Sequence, residues 1–529
     1  MSKNSFVKGA FILGSAGLVV KILGAFFRIP LGRLIEGEGM GYYQTAYPIY
    51  VLLLAISTSG FPIAISKMVS ERRALGDYKG AHRVFTITFR ILLVLGIVTF
   101  SMFFFGANFI VGTLFKNPKA YYSMLSLAPA LLFVPIMAAF RGYFQGRNNM
   151  TPTAVSQIIE QGARVGFGLV LAYILMPRGA EYAAAGGSFG ATAGAIFGMI
   201  FIIFVYRLNK PKIDKELKRS EHFPEEPVNE IIKNLLIIAI PIIIGASVLP
   251  IMNMIDVSIV MRRLIASGYT QAEANTLYGQ LTGMAATLIN LPQVLTMSIA
   301  MSIVPIISQS LAVNDIDEAR KNAKLGVRMA ILLGLPAGVG LMVLATPIMQ
   351  LLYPSEPASV GKILFVMSIG VVFLSLIQTL TGILQGMGKS SIPVMNLFIG
   401  AIFKFIATYT LTSIPSLNVR GAALGTVIAY IVAGVLDLYW VKRLLKIEFE
   451  MADFVVKPLI TVSLMGVVAK VSHMILVSAL GNSLATVIAI SLGAMVYGVT
   501  LVLIGGITKE EIERLPKGKK ISKFIPDRK

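Results

Sequence analysis

Long apolar runs separated by short polar connections extend along almost the whole chain. Each of the fourteen runs exceeds the roughly 20 residues that an α-helix needs to cross a bilayer. They lie near residues 9–35, 43–70, 84–115, 119–146, 151–176, 182–208, 231–266, 277–312, 318–352, 357–386, 391–413, 419–445, 453–478 and 482–506. The runs are continuous, whereas the strands of an outer-membrane barrel alternate in polarity. The pattern predicts an all-α polytopic membrane protein with about 14 transmembrane helices.

Basic residues are concentrated in every second connection between these runs. Those after spans two, six and eight carry Arg72, Arg73, Lys79, Arg83, Lys210, Lys212, Lys215, Lys218, Arg219, Arg320, Lys321 and Lys324. The alternate connections are short and poor in Lys and Arg. Because basic loops remain on the cytoplasmic side of a membrane, we expect both termini in the cytoplasm. An even number of spans satisfies this requirement.

Several short motifs occur twice in the same order, about 230 to 243 residues apart. The pair GYFQG at 142–146 and GILQG at 382–386 is one example. Such parallel repeats predict two six-helix lobes around a central cavity, related by an axis along the membrane normal. The expected divisions are an N-terminal lobe (1–208), a cytoplasmic linker (209–230), a C-terminal lobe (231–446), two additional transmembrane helices (447–506) and a basic cytoplasmic tail (507–529).

The amino-acid composition and the absence of catalytic motifs exclude several classes of protein. Apolar residues make up 56% of the 529 residues and charged residues only 14%, against about 25% in soluble domains, which excludes an ordinary cytosolic enzyme. Loop lysines and arginines explain most of the net charge of +21, so nucleic acid is not an expected partner. The chain has no cysteine, no HExxH motif and no P-loop. We therefore expect a transporter without catalytic residues, metal or cofactor.

Span one contains two cations that an apolar helix does not ordinarily carry. A charge near the bilayer centre costs roughly 2.5–3.5 kcal/mol and usually faces a cavity or a partner. Gly14, Gly17, Lys21, Gly24 and Arg28 fall within about 80° of helical arc. A low glycine surface crossed by two cations suits a bulky anion, so Lys21, Arg28, Gly17 and Gly24 are candidate substrate-binding residues. In the alternative interpretation the glycines pack on another helix and the cations pair with carboxylates.

Acidic residues are few inside the predicted spans. Asp256 lies in span seven, the repeat counterpart of span one, and could pair with a span-one cation or carry a proton or sodium ion; a purely structural ion pair is equally open. Asn253 lies three residues earlier on a neighbouring part of the same face and is a further substrate-binding candidate. Glu160 and Arg164 are four residues apart in span five, a spacing that favours a structural pair.

The turn between spans four and five combines glycines, cations and a proline. Gly146 can adopt a positive φ, and Pro152 suits the first turn of span five. A structural hinge is the favoured interpretation. Arg141, Gln145 and Arg147 are candidates for a cytoplasmic gate or a headgroup contact.

These motifs resemble the MurJ/SpoVB branch of the polysaccharide transporters, in a superfamily shared with multidrug exporters. The resemblance lies in KILG at 21–24, GFPIAISK at 60–67, RGYFQG at 141–146, PTAVSQIIEQ at 152–161 and ILQGMG at 383–388. It implies a flippase of the bacterial cytoplasmic membrane that moves an undecaprenyl-diphosphate-linked precursor, lipid II above all, by alternating access in peptidoglycan synthesis. It also implies basic span-one residues in a central cavity, approximately at Lys21 and Arg28, and a lipid-tail groove in the last two helices.

The resemblance leaves several points open. Family arginines in spans two and eight have no counterpart at 43–66 or 280–308. A teichoic-acid, capsule or spore-cortex precursor is an alternative substrate, and a cation-coupled multidrug exporter, a membrane enzyme and a scaffold are alternative functions. With no ATPase motif, the energy would come from the membrane potential, a proton or sodium gradient, or consumption of product outside. Expected partners are the lipid-linked glycan, membrane lipids and cell-wall synthesis proteins.

Overall fold

The computed structural model describes residues 3–220 and 223–506, with side chains from residue 12 onward, and these residues form helices and no strands. The α-helices are α1 (Lys3–Thr58), α2 (Phe61–Ala74), α3 (Tyr78–Phe109), α4 (Tyr121–Leu127), α5 (Ala130–Gly146), α6 (Thr151–Leu175), α7 (Ala180–Lys218), α8 (Val228–Ala266), α9 (Gln271–Gly279), α10 (Ala286–Asn290), α11 (Gln293–Ala312), α12 (Ile316–Val343), α13 (Ala345–Leu352), α14 (Val360–Ser368), α15 (Gly370–Gly386), α16 (Ser391–Leu411), α17 (Val419–Leu445) and α18 (Lys457–Leu503). The predicted basic tail, 507–529, lies outside the described residues.

The described part of the chain contains 11 helical stretches long and apolar enough to cross a membrane, or 12 if the bent pair α14 and α15 is one span. Two of these stretches are interrupted, at Glu36 (φ 56°) in α1 and at Gly481 (φ 70°) in α18. Counting each interrupted stretch as two spans gives fourteen. The chain is a multi-span all-helical membrane protein, and the number fourteen stays a prediction.

The chain divides into two compact units, Met1–Gly279 and Gln280–Lys529. In the first unit α8, the predicted span seven, packs against α1 and α2. The compact units therefore differ from the predicted six-helix lobes, which end at residues 208 and 446. Those lobes remain a prediction about the internal sequence repeat.

The predicted linker, 209–230, is partly helical, because α7 continues to Lys218. Its final turns are polar, but Ile213 is buried in the hydrophobic core of the first unit. Glu216, three residues later, binds two arginines of that unit. This extension of α7 is therefore stabilised by tertiary contacts that a hydropathy pattern does not contain.

Small residues allow α6 and α7 to pack with their backbones in close contact. A Cβ on Gly190 would lie 2.4 Å from the carbonyl oxygen of Arg164, and one on Gly194 would lie 2.5 Å from that of Glu160. Close approach at glycines is common between membrane helices, where no hydrophobic effect drives association. The contact fixes the position of the charged residues on α6.

Candidate functional site

The cationic face of α1 borders open space over part of its length. Lys21 is exposed and Arg28 half-buried. A Cβ on Gly14 or Gly17 would meet no heavy atom within 4 Å. A Cβ on Gly24 would instead lie 3.5 Å from Nε2 of Gln161 on α6. The open surface expected beside Lys21 is thus present at Gly17, whereas Gly24 belongs to the packing of α1 on α6.

Arg28 contacts an aromatic ring from the other half of α1. Its Cζ lies 5.9 Å from the ring centroid of Tyr47. The non-helical backbone at Glu36 separates these two residues and turns the chain so that the two halves meet. A guanidinium over an aromatic face is held electrostatically by the ring quadrupole. The ring therefore fixes the direction of Arg28 without neutralising its charge.

A second arginine reaches the same tyrosine from α6. Arg164 hydrogen-bonds Tyr47, and Tyr47 lies between Tyr43 and Tyr50, with ring-centroid distances of 5.6 and 5.8 Å. Tyr43 and Tyr50 are buried. We call Arg28, Arg164 and these three tyrosines the arginine–tyrosine cluster. The sequence signal for this cluster is the series of tyrosines at positions 43, 47 and 50, each about one helical turn from the next, but nothing in the sequence connects them with Arg164.

The carboxylate of Glu160 binds Arg141 and not the predicted partner Arg164. Nη2 of Arg141 donates to Oε2 of Glu160 over 2.9 Å, and its Nε donates to Oγ of Ser156 over 2.8 Å. The spacing of four residues on α6 allows a Glu160–Arg164 pair, but α5 supplies Arg141 to the glutamate and α1 supplies Tyr47 to the arginine. Arg141 is thus engaged within the first unit.

Arg147 is also engaged, at the end of the bundle predicted to face the cytoplasm. Its Nη1 lies 2.9 Å from Oε2 of Glu216, and its Cζ lies 5.4 Å from the ring centroid of Tyr143. Arg73 shares the same carboxylate, with Nη1 2.5 Å from Oε2. Gln145, which lies between Arg141 and Arg147 in the sequence, is half-buried. A role of Arg141, Gln145 and Arg147 in gating or headgroup contact stays a prediction.

Two predicted site residues, the substrate contact Asn253 and the ion-coupling residue Asp256, lie on α8, in the same compact unit as α1. Asn253 is exposed and Asp256 half-buried. Pro250, three residues before Asn253 and six before Asp256, has no N–H for the backbone hydrogen bonding of α8. The substrate contact assigned to Asn253 and the ion coupling assigned to Asp256 both stay predictions.

A buried polar clasp, formed by Thr45, Asn117 and Asn275, closes the opposite end of the first unit. Nδ2 of Asn117 donates to Oγ1 of Thr45 over 2.9 Å and to Oδ1 of Asn275 over 2.7 Å. Nδ2 of Asn275 donates in turn to the carbonyl oxygen of Glu38 over 2.8 Å. All three side chains of the clasp are buried. It connects α1 to α9 and was not predicted.

The second unit contains a buried acid, Asp437, within α17. Nδ2 of Asn396 donates to Oδ1 of Asp437 over 2.7 Å, and both side chains are buried. The other oxygen, Oδ2, has no hydrogen-bond partner within the described part of the chain. In that part there is also no group of three or more His, Asp or Glu side chains that could hold a metal ion.

Family models match both halves of the chain. The model described as "Polysaccharide biosynthesis protein" matches residues 6–311, more than half of the sequence. The chain belongs to this family. The model named MatE matches residues 281–410, in agreement with the superfamily that the motifs suggested.

Individual relatives agree with this membership. The chain is 29% identical to "Stage V sporulation protein B" of Bacillus subtilis, with 98% of each chain covered. It is 26% identical to "Lipid II flippase MurJ" of the same organism, with 89% of each covered. A solved structure of lipid II flippase MurJ in an inward closed conformation matches with a TM-score of 0.67 at 17% identity, covering 93% of this chain and 98% of that one. These matches confirm the predicted family and polytopic fold, and the names are those of transporters and a sporulation protein, not of enzymes.

Proposed function

We propose that this family member is a flippase that moves an undecaprenyl-diphosphate-linked cell-wall precursor, lipid II in the first instance, from the inner to the outer leaflet. The observation that carries the proposal is the pair Lys21 and Arg28 on a face of α1 whose glycines at 14 and 17 border open space. A diphosphate-sugar headgroup is large, polar and anionic, so it needs such a surface to leave water. The lipid tail can stay in the bilayer throughout.

The two cations have complementary chemistry for a diphosphate. The ammonium of Lys21 is a compact point charge on a flexible stem, whereas the guanidinium of Arg28 can donate two parallel hydrogen bonds to phosphate oxygens. Contact with Tyr47 restricts the directions that Arg28 can take. Arg164, on the other side of Tyr47, brings a second guanidinium into the same cluster. This second guanidinium supports anion binding. It does so although spans two and eight of this chain lack the arginines that the family has there.

The cycle we propose is alternating access, driven without ATP hydrolysis. An inside-negative membrane potential favours outward movement of an anion, by about 2.3 kcal/mol per charge at 100 mV. A proton or sodium ion carried by Asp256 is a second source of energy. Transport in vesicles under imposed potential or ion gradients would separate the two, because an Asp256→Asn variant loses only the ion-dependent component.

The decisive experiment measures lipid II on the outer leaflet of living cells. Cells depleted of their own flippase are supplied with this chain, and lipid II is detected with a label that cannot cross the membrane. We expect the wild type to restore outward exposure. A Lys21→Ala, Arg28→Ala double variant should reach the membrane in equal amount but fail to restore it.

The matched control removes two cations from exposed positions, Lys67→Ala and Lys79→Ala, and should restore exposure fully. If the wild type itself does not restore exposure, the substrate is another lipid-linked glycan. If the Lys21, Arg28 double variant restores it fully, the cationic face of α1 is not the substrate site.

Similarity to stage V sporulation protein B favours a second biological role for the same transport, in spore formation. Its similarity extends over 98% of this chain, so the precursor moved here could serve the spore cortex. Rescue of a strain lacking that relative, tested separately from rescue of vegetative depletion, assigns the setting. The alternative function, multidrug export on the same scaffold, predicts that expression of the protein confers drug resistance. The positive charge of the α1 face argues against it, because that face would repel cationic drugs.

A further inference from the structure

Four arginines at one end of the first unit bind carboxylates that lie at the end of α7 and just before α8. The arginines belong to the end of α2, the start of α3 and the residue after α5. The pairs are Arg72 with Glu226, Arg83 with Glu225, and both Arg73 and Arg147 with Glu216. The turns of the bundle thus supply four positive charges, and the connection to α8 supplies three negative ones.

The carboxylate of Glu216 is held between two guanidinium groups. Arg73 donates from Nη1 to Oε2 over 2.5 Å and from Nη2 to Oε1 over 3.3 Å. Arg147 reaches the same two oxygens, with Nη1 2.9 Å from Oε2 and Nη2 3.2 Å from Oε1. Paired hydrogen bonds from a planar guanidinium fit the oxygens of a carboxylate and of a phosphate alike. A phosphate therefore offers these arginines the same pair of acceptors.

Both arginines are also held by groups other than Glu216. The Cζ of Arg147 lies 5.4 Å from the ring centroid of Tyr143, whose hydroxyl accepts a hydrogen bond from Nη1 over 3.2 Å. The Cζ of Arg73 lies 5.1 Å from the ring centroid of Tyr78. Two guanidinium groups this close repel each other unless an anion lies between them. The pair is therefore a preformed anion site, and Glu216 is the anion that fills it.

Glu216 can leave this position while the bundle stays folded. It lies two residues before Lys218, the last residue of α7, and the final turns of helices fray. Burial raises the pKa of Glu216, but hydrogen bonds and charge from Arg73 and Arg147 outweigh burial and hold the pKa below its ordinary value. The occupant is thus an anion at neutral pH. The core contact of this part of α7 is made one turn earlier, by Ile213.

We propose that Arg73 and Arg147 form a binding site for a phosphate ester, which Glu216 occupies when no ligand is bound. The site lies at the end of the bundle predicted to face the cytoplasm. The expected ligand is the diphosphate of the lipid-linked precursor before its passage, and this assignment rests on the proposed function. Free phosphates and phospholipid headgroups share this chemistry, so the experiment must distinguish the three sources.

The first test follows the thermal midpoint of the full-length protein as inorganic pyrophosphate is added. Apparent affinity is reduced by the fraction of molecules in which Glu216 fills the site. We therefore expect Glu216→Gln to bind pyrophosphate at least about tenfold more tightly than the wild type, and its midpoint to rise as the site fills. Glu225→Gln removes a carboxylate from the pair with Arg83, whose glutamate is 85% exposed, and should bind pyrophosphate like the wild type.

The two arginines are tested in the Glu216→Gln background. Addition of R73Q and R147Q should abolish pyrophosphate binding. Should that protein fail to fold, addition of R147K alone decides, because lysine keeps the charge but cannot donate two parallel hydrogen bonds. We expect R147K to weaken binding several-fold. Unchanged affinity in R147K, or equal affinity of the wild type, Glu216→Gln and Glu225→Gln, would overturn the site.

Competition in lipid nanodiscs identifies the source of the phosphate. We expect undecaprenyl diphosphate to displace pyrophosphate from Glu216→Gln, and phosphatidylglycerol at the same molar fraction to leave it bound. Equal displacement by the two lipids, or displacement by neither, would overturn the assignment to the precursor. Failure of the proposed function is distinguishable, because it appears as absent outward exposure of lipid II in cells while the purified protein still binds the diphosphate.

Discussion

The guanidinium of Arg28 lies against the ring of Tyr47, with its Cζ 5.9 Å from the ring centroid. The two residues belong to opposite sides of the break at Glu36, so this contact depends on the bend in α1. Arg164 reaches the same tyrosine from α6. The direction of the proposed substrate-binding cation is therefore set by a residue outside its own span.

Substitution of Tyr47 tests whether this contact positions Arg28. We expect Tyr47→Phe to retain most transport, because the phenyl ring keeps the negative face that attracts a guanidinium. Tyr47→Leu should lower transport several-fold, since a cation–π contact is worth about 0.5–2 kcal/mol. The measurement is outward exposure of lipid II per amount of protein in the membrane. Equal transport by the two variants would show that the ring does not position Arg28.

Gly17→Leu tests whether the space beside Lys21 is used. A Cβ at Gly17 has no neighbour within 4 Å, so the variant should fold with a thermal midpoint within about 2 °C of the wild type. We expect the side chain to occupy the path of the headgroup and to lower transport at least tenfold, about 1.4 kcal/mol in the rate.

Gly168→Leu is the matched comparison for this substitution. A Cβ there would lie 2.9 Å from Cε2 of Phe27, so this variant should lose stability. The interpretation of an open, functional space fails if Gly17→Leu transports normally or if it is as unstable as Gly168→Leu.

Glu216→Gln tests the ion pairs that hold the extension of α7. The carboxylate binds Arg73 and Arg147, whose side chains are 22% and 11% exposed. Hydrogen bonds to charged groups contribute about 1.5–3 kcal/mol. Because these groups are partly in solvent, we expect a loss of about 1–2 kcal/mol and a thermal midpoint lower by a few degrees.

Glu225→Gln is the control for this pair. Glu225 binds Arg83, but its side chain is 85% exposed, so the change should stay within about 0.5 kcal/mol. Equal effects of the two substitutions would mean that Glu216 contributes no more than an ordinary surface charge.

Asn117→Ala tests the buried polar clasp between α1 and α9. The substitution leaves the side chains of Thr45 and Asn275 without their shared donor, at a cost of about 1–3 kcal/mol. The natural chain has no cysteine, so a single cysteine at the buried position Ala274 reports opening. We expect Asn117→Ala to raise the rate of thiol labelling at that position several-fold.

A substitution at a nearby half-buried position, Thr276→Ala, provides the comparison for the clasp. The hydroxyl of Thr276 binds only the carbonyl oxygen of Ala272 in its own helix, so the labelling rate should not change. An unchanged rate in Asn117→Ala would mean that the clasp does not hold α9 against α1.

The sequence alone determined the fold class, the transmembrane nature of the segments and the family. These properties depend on local quantities: the length of an apolar run, the position of loop cations, and short motifs such as those at 60–67 and 141–146. The same local reasoning identified Lys21 and Arg28 as unusual. It required only their charge and their place within an apolar helix, not the position of any other span.

The tertiary structure decided which partners these charges have. On α6 the spacing of Glu160 and Arg164 permits a pair, but α5 supplies Arg141 to the glutamate and the bend in α1 supplies Tyr47 to the arginine. Likewise, Ile213 and Glu216 keep residues 209–218 helical through contacts with other helices. Hydrogen bonds between side chains depend on distances of about 3 Å, and only the packed helices bring residues far apart in sequence to such distances.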